Sequence, residues 1–179
     1  ISDLDLADHA LVTRPDLRAA EWIKENTSKD NRFLVNSFFA YGNTLIVGSD
    51  GGWWLPLIAQ RQTTLPPITY GSEQGSTSDY RQWINKLTKN IQDEGLADPK
   101  VLKTLKQRGI THIYIGQRQG NVNNNNPMIE PEYLLSQFFI PIYHQDRVWI
   151  FDLAPIESSF SSPRQSATAA IESRHKMVE

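Results

Sequence analysis

The chain has 179 residues, no cysteine and a net charge of −2. That length suits one domain, and the lack of cysteine excludes a disulfide framework, a thiolate nucleophile and a cysteine zinc site. The slightly acidic balance lacks the basic field of a general nucleic-acid binder, and a hydrophobic content of 39% is low but sufficient for one core.

Residues 1–13 form an acidic, weakly patterned lead-in. "TRPDLRAAEWIKENTS" predicts a helix. Thr13 stands at the N-cap, Pro15 is in the first turn, and Asp16 comes three residues after the cap. Leu17, Ala20 and Ile23 repeat at helical spacing. "RFLVNSFF" predicts one strand, and "NTLIVGS" a second after a turn at Tyr41–Gly42–Asn43. Trp53 to Gln60 predicts a short helix with Pro56 in its first turn. "TTLPP" predicts extended chain, since proline biases its predecessor towards β geometry.

Ser78 to Asp93 predicts a long helix capped by Ser78 and ended by Gly95. Its buried face would hold Tyr80, Trp83, Ile84, Leu87 and Ile91. Pro99 to Arg108 predicts a further helix, capped by Asp98. "GITHIYIG" follows as a buried strand, an α/β succession. "QRQGNVNNNNPM" predicts a solvated, mobile loop. "PEYLLSQFF" predicts a short helix, and "IPIYHQDRVWIFDL" a hairpin turning at Gln145–Asp146.

After Pro155 the chain turns serine-rich and loses periodicity. The expected organisation is therefore a single α/β domain over 14–155 and a mostly disordered tail over 156–179. The expected fold is a mixed sheet of about five strands with helices on both faces, a Rossmann-like layering without a dinucleotide motif.

No catalytic set assembles from sequence neighbours. His9, His112, His144 and His175 are scattered, with none at a metal-ligand spacing. There is no Gly-x-Ser-x-Gly elbow and no phosphate-loop glycine pattern. No catalytic or metal-ligating residue is therefore nominated. The unusual chemistry is concentrated in "GSDGGWWLPLIAQRQTTLPPITYG", Gly48 to Gly71. Asp50 either caps the short helix through the N–H groups of Gly52 or Trp53, or receives a hydroxyl or ammonium group of a ligand. Gly51 and Gly52 allow close backbone approach to an anion at a helix start.

Trp53 and Trp54 point about 100° apart on a helix. Either both pack in the core, or one enters it while the other faces a groove, a sugar ring or a membrane surface. Arg61 either meets exposed carbonyls or reaches a phosphate or carboxylate with its planar fork. The helices between Arg81 and Arg108 carry seven Lys and Arg residues, read either as a solvated surface or as a basic face for anionic headgroups. Asn26–Thr27–Ser28 matches a glycosylation sequon by pattern alone.

No apolar run approaches the ~18–20 residues that cross a bilayer, and no leader pattern is visible. The chain begins at Ile1, which leads to the expectation of a processed product or an excised piece.

The segments "RAAEWIKENTSKDNRFLVNS", "SDGGWWLPLIAQRQTTLPP", "LKQRGITHIYIG" and "FFIPIYHQDRVWIFDL" follow one another in an order that resembles the soluble C-terminal domain of multi-pass membrane glycosyltransferases of the GT-C type. That group includes mannosyltransferase-like and oligosaccharyltransferase-like proteins. The middle segment is similar to the one bearing a Trp-Trp-Asp-Tyr-Gly signature in oligosaccharyltransferases, and Ala59–Gln60–Arg61 matches its continuation. In this chain the tryptophan pair follows the aspartate and glycines instead of preceding them, so peptide recognition is not carried over.

The resemblance spans about Arg14 to Leu153. It implies an extracytoplasmic, periplasmic domain of a bacterial integral membrane protein that transfers sugars from polyprenyl-phosphate donors. The partners implied are its own membrane-spanning part and a lipid-linked sugar or acceptor, with no nucleic acid. The family's catalytic acids lie in loops between spans, so this domain is expected to be silent alone. Any divalent metal is expected in the membrane part, with no cofactor in this domain. Asp50, Gly51, Gly52, Trp53, Trp54 and Arg61 are then expected to contact substrate and help form or close its cavity. The alternative expectation is a non-enzymatic, membrane-tethered sugar-binding or protein-interaction module. A third is a free-standing cytosolic α/β enzyme.

Overall fold

The computed structural model describes residues 9–65 and 78–153. The prolines of "TTLPP", His175 and the serine-rich tail lie outside those residues, as does the lead-in before His9.

Helix α1 runs from Arg14 to Asn26 and buries Asp16, Ala19, Ala20 and Ile23. Its start is fixed as the sequence predicts. The Asp16 carboxylate accepts from the Thr13 backbone N–H at 2.8 Å and from the Thr13 hydroxyl at 2.6 Å, with Pro15 in the first turn.

"RFLVNSFF" does not form one strand. It divides at Asn36 into β1 (Arg32–Val35) and β2 (Ser37–Ala40). Asn36 is fully buried, and its side-chain amide is engaged by the backbone of Ile129. There the chain leaves the main sheet. β2 then pairs antiparallel with β3 (Leu45–Gly48) as a separate two-stranded sheet. A 3-10 turn at Gly51–Trp54 leads into the one-turn helix α2, Leu55–Ile58, and the two-residue strand β4, Gln62–Thr63.

Helix α3 (Tyr80–Glu94) has Asp79 and not Ser78 at its N-cap, one residue later than predicted, and ends at Gly95, whose φ of 85° suits glycine. Ile84, Leu87 and Ile91 face inward from it. Helix α4 (Pro99–Gln107) is capped by Asp98, which accepts from the N–H groups of Lys100 and Val101. Strand β5 (His112–Ile115) follows, then helix α5 (Pro131–Ser136) and the hairpin β6 (Ile140–Gln145) and β7 (Val148–Asp152). The hairpin turns at Asp146–Arg147, one residue later than predicted. Both have positive φ, as a two-residue type I′ turn requires.

The main sheet has five strands in the order β4-β1-β5-β7-β6. β4, β1 and β5 are parallel, and β7 and β6 extend the sheet antiparallel. All four residues of β5 are buried, because the centre of an α/β sheet is covered on both faces. Phe33, Leu34, Val35, Ile113, Tyr114, Ile150 and Phe151 are the middle of the core. Each large apolar side chain buried there contributes about 1.5–3 kcal/mol. The mixed α/β sheet is the architecture that the alternation of segments predicts.

Candidate functional site

The strand order reverses direction between β1 and β5. From β1 the chain proceeds to β4 on one side, whereas β5 lies on the other and leads on to β7 and β6. In open α/β sheets, ligands bind in the crevice outside the carboxyl ends of two such strands. Here those ends are Asn36 and Gly116, and the N-terminus of α1 and the Gly51–Gly52 turn meet them. The first part of the sequence-nominated stretch, Gly48 to Gly52, therefore lies at this switch point.

The crevice is filled by the protein's own carboxylates. Asp50 is 0% exposed. One of its oxygens accepts from the Gly52 N–H at 2.9 Å. The other accepts from the Gly116 N–H at 3.0 Å and from Asn36 Nδ2 at 3.3 Å. Asp16, equally buried, accepts from the Tyr114 hydroxyl at 2.8 Å and the Gln117 N–H at 3.0 Å, besides its two bonds to Thr13. Position 3 of a helix favours a negative charge, which faces the positive end of the helix dipole.

Glycine is needed where these groups converge. A Cβ on Gly51 would stand 2.5 Å from the Asp16 carboxyl carbon, and one on Gly116 would meet Asp16 Oδ1 and the Gly51 nitrogen at 2.9 Å. A ligand reaches neither carboxylate unless the Gly51–Gly52 turn or the chain after Gly116 moves.

Burial, opposed by the two backbone N–H donors and reinforced by the nearby Asp16 charge, pushes the Asp50 carboxyl up to about 7. Burial and the same two carboxylates hold the Tyr114 hydroxyl protonated, well above its ordinary range. It therefore remains a donor to Asp16. The Ser49 hydroxyl beside Asp50 is buried with no hydrogen-bond partner among the described residues.

Arg61 is 3% exposed, and every arm of its guanidinium is engaged within the chain. Nε donates to Thr27 Oγ1, and Nη1 to the carbonyls of Ala59 and Gln60. Nη2 donates to the carbonyls of Ile23, Lys24 and Thr27, the last at 2.8 Å. These carbonyls close the C-terminal end of α1, where unpaired acceptors and negative partial charge collect. In this arrangement Arg61 meets carbonyls, the first of the two roles its sequence position offers.

The tryptophan pair divides as adjacent helical positions should. Trp53 packs against the core, and a Cβ on Gly48 would run into its side chain. Trp54 is 43% exposed and Leu57, three residues on, is 70% exposed. A second exposed apolar group comprises Leu135, Phe138, Ile140 and Ile142 at the end of α5 and along edge strand β6.

Three of the other candidates, His112, His144 and Arg108, have local structural partners. His112 is stacked on Phe33 and bonded to Thr111, with burial lowering its affinity for a proton. His144 stacks on Trp149. Arg108 of the basic run pairs with Asp79 and lies over the Trp83 ring. Among the described residues no group of three His, Asp or Glu side chains is placed to hold a metal ion.

Asp50, Gly51, Gly52 and Trp53 are thus brought together at the switch point. Arg61 lies apart, at the far end of α1. Sequence reasoning missed Asn36, Tyr114 and Gly116. The signal for Asn36 was a lone amide between two apolar strand runs, and for Gly116 a glycine directly after a buried strand. No family model matches the chain, and no curated protein or solved structure gave a match.

Proposed function

We propose that this chain is a non-catalytic accessory domain, the extracytoplasmic part of a membrane glycosyltransferase that uses polyprenyl-phosphate sugars. It docks against the membrane-embedded part and helps close the substrate site there. The observation that carries this reading is the two-sided build of the Gly48–Arg61 stretch. On its inner side Asp50 accepts from Asn36 and Gly116, at the ends of β1 and β5, Arg61 donates to carbonyls at the end of α1, and Gly51 and Gly52 pack against Asp16 and Val35. Its outer side offers Trp54 and Leu57 to whatever lies outside. A rigid platform bearing a tryptophan, apolar in body with one N–H donor, suits a protein or lipid interface. The likeness to GT-C domains supplies the parent protein in this reading.

A photo-crosslinking residue at Trp54 of the full-length protein in its native membrane tests it. Crosslinks to membrane-embedded segments of the same chain are expected. Recovery of the full-length protein from the soluble fraction, or crosslinks to soluble proteins only, contradicts the reading.

A further inference from the structure

A groove of about 680 Å³ lies away from the switch point, between the β2–β3 hairpin, α3 and the asparagine-rich loop. That volume is in the range of small-molecule sites. Three elements form its walls, and each is held in place. The hairpin turn is tied to α3 because Asn85 Nδ2 and Arg81 Nη2 both donate to the Thr44 carbonyl. The asparagine loop is pinned at one end by the Val122 N–H on the Ser49 carbonyl and at the other by Ile129 on the Asn36 amide. Inside the loop, Asn124 and Asn126 bond to each other in a local turn. The asparagine run, expected as solvated and mobile, thus forms one wall of a groove.

The lining is chemically uniform in an informative way. Asn43, Gln92 and Asn126 bring side-chain amides to it from three separate elements, while the amides of Asn85 and Asn124 are engaged within the chain. An amide presents two donors and an acceptor, the combination that matches vicinal hydroxyl groups. Phe38, half-buried in β2, adds an aromatic surface against which the C–H face of a sugar ring can pack. Lys86 and Lys89, one helical turn apart on α3, add two positive charges, and neither forms an ion pair among the described residues. Asp93 is the one carboxylate of the lining, so the net local charge is positive.

We propose that this groove binds an acidic saccharide, its hydroxyls taken by the amides of Asn43, Gln92 and Asn126 and its anionic group by Lys86 and Lys89. The inference stands apart from the docking reading: it uses other elements and holds whether or not the chain is attached to a membrane.

Chemical-shift titration of the 15N-labelled chain tests it, with trigalacturonic acid and glucose 1-phosphate as the carboxylate- and phosphate-bearing probes. Cellotriose serves as the neutral probe and inorganic phosphate as the bare charge. The expected result is saturable perturbation centred on Asn85, Lys86, Lys89, Asn124 and Asn126 with at least one acidic sugar, and binding of cellotriose at least about tenfold weaker. K86Q/K89Q should erase that preference, and Asn126→Ala should weaken the acidic sugar with the amide spectrum elsewhere unchanged. Whichever acidic probe binds identifies the anion. Equal binding of cellotriose, equal binding of inorganic phosphate, or no focused perturbation by either acidic sugar overturns the proposal.

Discussion

The switch-point cluster and the α3 groove are built from the same kinds of side chain, arranged to opposite ends. At the switch point Asp16, Asp50 and Asn36 have their polar atoms taken by the chain's own N–H and hydroxyl groups, and all are fully buried. In the groove the amides of Asn43, Gln92 and Asn126 and the ammonium groups of Lys86 and Lys89 line open space. A buried polar group satisfied from within contributes to the fold, and removing its partner costs a desolvation penalty. A polar group facing water costs little to remove and can exchange water for a ligand. The difference teaches that the most eye-catching residues of a sequence can be structural, while a plain asparagine run carries the recognition chemistry.

The largest effect should come from breaking the closed side of this comparison. Asp16→Ala removes an acceptor used by Thr13, Tyr114 and Gln117. It should cost about 3 kcal/mol or more in denaturant unfolding, since several buried donors lose their partner together. Gly51→Ala should behave alike, because its Cβ has no room beside Asp16. Next, Arg61→Ala should cost about 2–3 kcal/mol by stranding buried carbonyls at the end of α1. Arg61→Lys should rescue little of that, since an ammonium cannot reproduce a planar fork that reaches two elements at once.

The pH dependence sharpens the same side. Asp50 is raised from 3.8 to about 7 by the fold, so between those values the native state holds a proton that the unfolded chain releases. Its contribution to stability is fully present below 3.8 and is lost as pH rises through about 7. The slope approaches at most about 1.4 kcal/mol per pH unit in that window. Denaturant midpoints of wild type and Asp50→Asn across the window check it: the variant should lose this component of the slope.

The smallest effects belong to the open side. Trp54→Ala, Leu57→Ser and Asn126→Ala should each move stability by less than about 0.5 kcal/mol, as measured by thermal unfolding. Their consequences should appear in docking or ligand binding instead.

Local signals account for most of what the sequence revealed. The cap at Thr13–Asp16, the cap at Asp98, the stop at Gly95 and the apolar period of α3 all act within a few residues, where propensity and pattern suffice. The α/β order followed from the succession of helix, glycine and β-branched strand before His112. The site was legible only in part. Asp50 as a cap of the following turn was visible, because Gly52 is two residues away. Its partner Gly116 lies 66 residues on, and Tyr114 lies 98 residues from Asp16. No local pattern encodes such pairings; they exist only once β1 and β5 stand side by side. The division of "RFLVNSFF" failed to show for the same reason, since Ile129 is 93 residues from Asn36.

The central claim is that Asp50, Gly51, Gly52 and Arg61 face inward and hold the fold, leaving recognition to Trp54, Leu57 and other exposed surfaces. Amide and arginine side-chain NMR during titration with a short polyprenyl phosphate tests it most directly. The N–H signals of Gly51, Gly52 and Gly116 and the Nε–H of Arg61 should stay in place throughout. A saturable shift focused on those four signals would contradict it and return the switch-point cluster to the role of a ligand site.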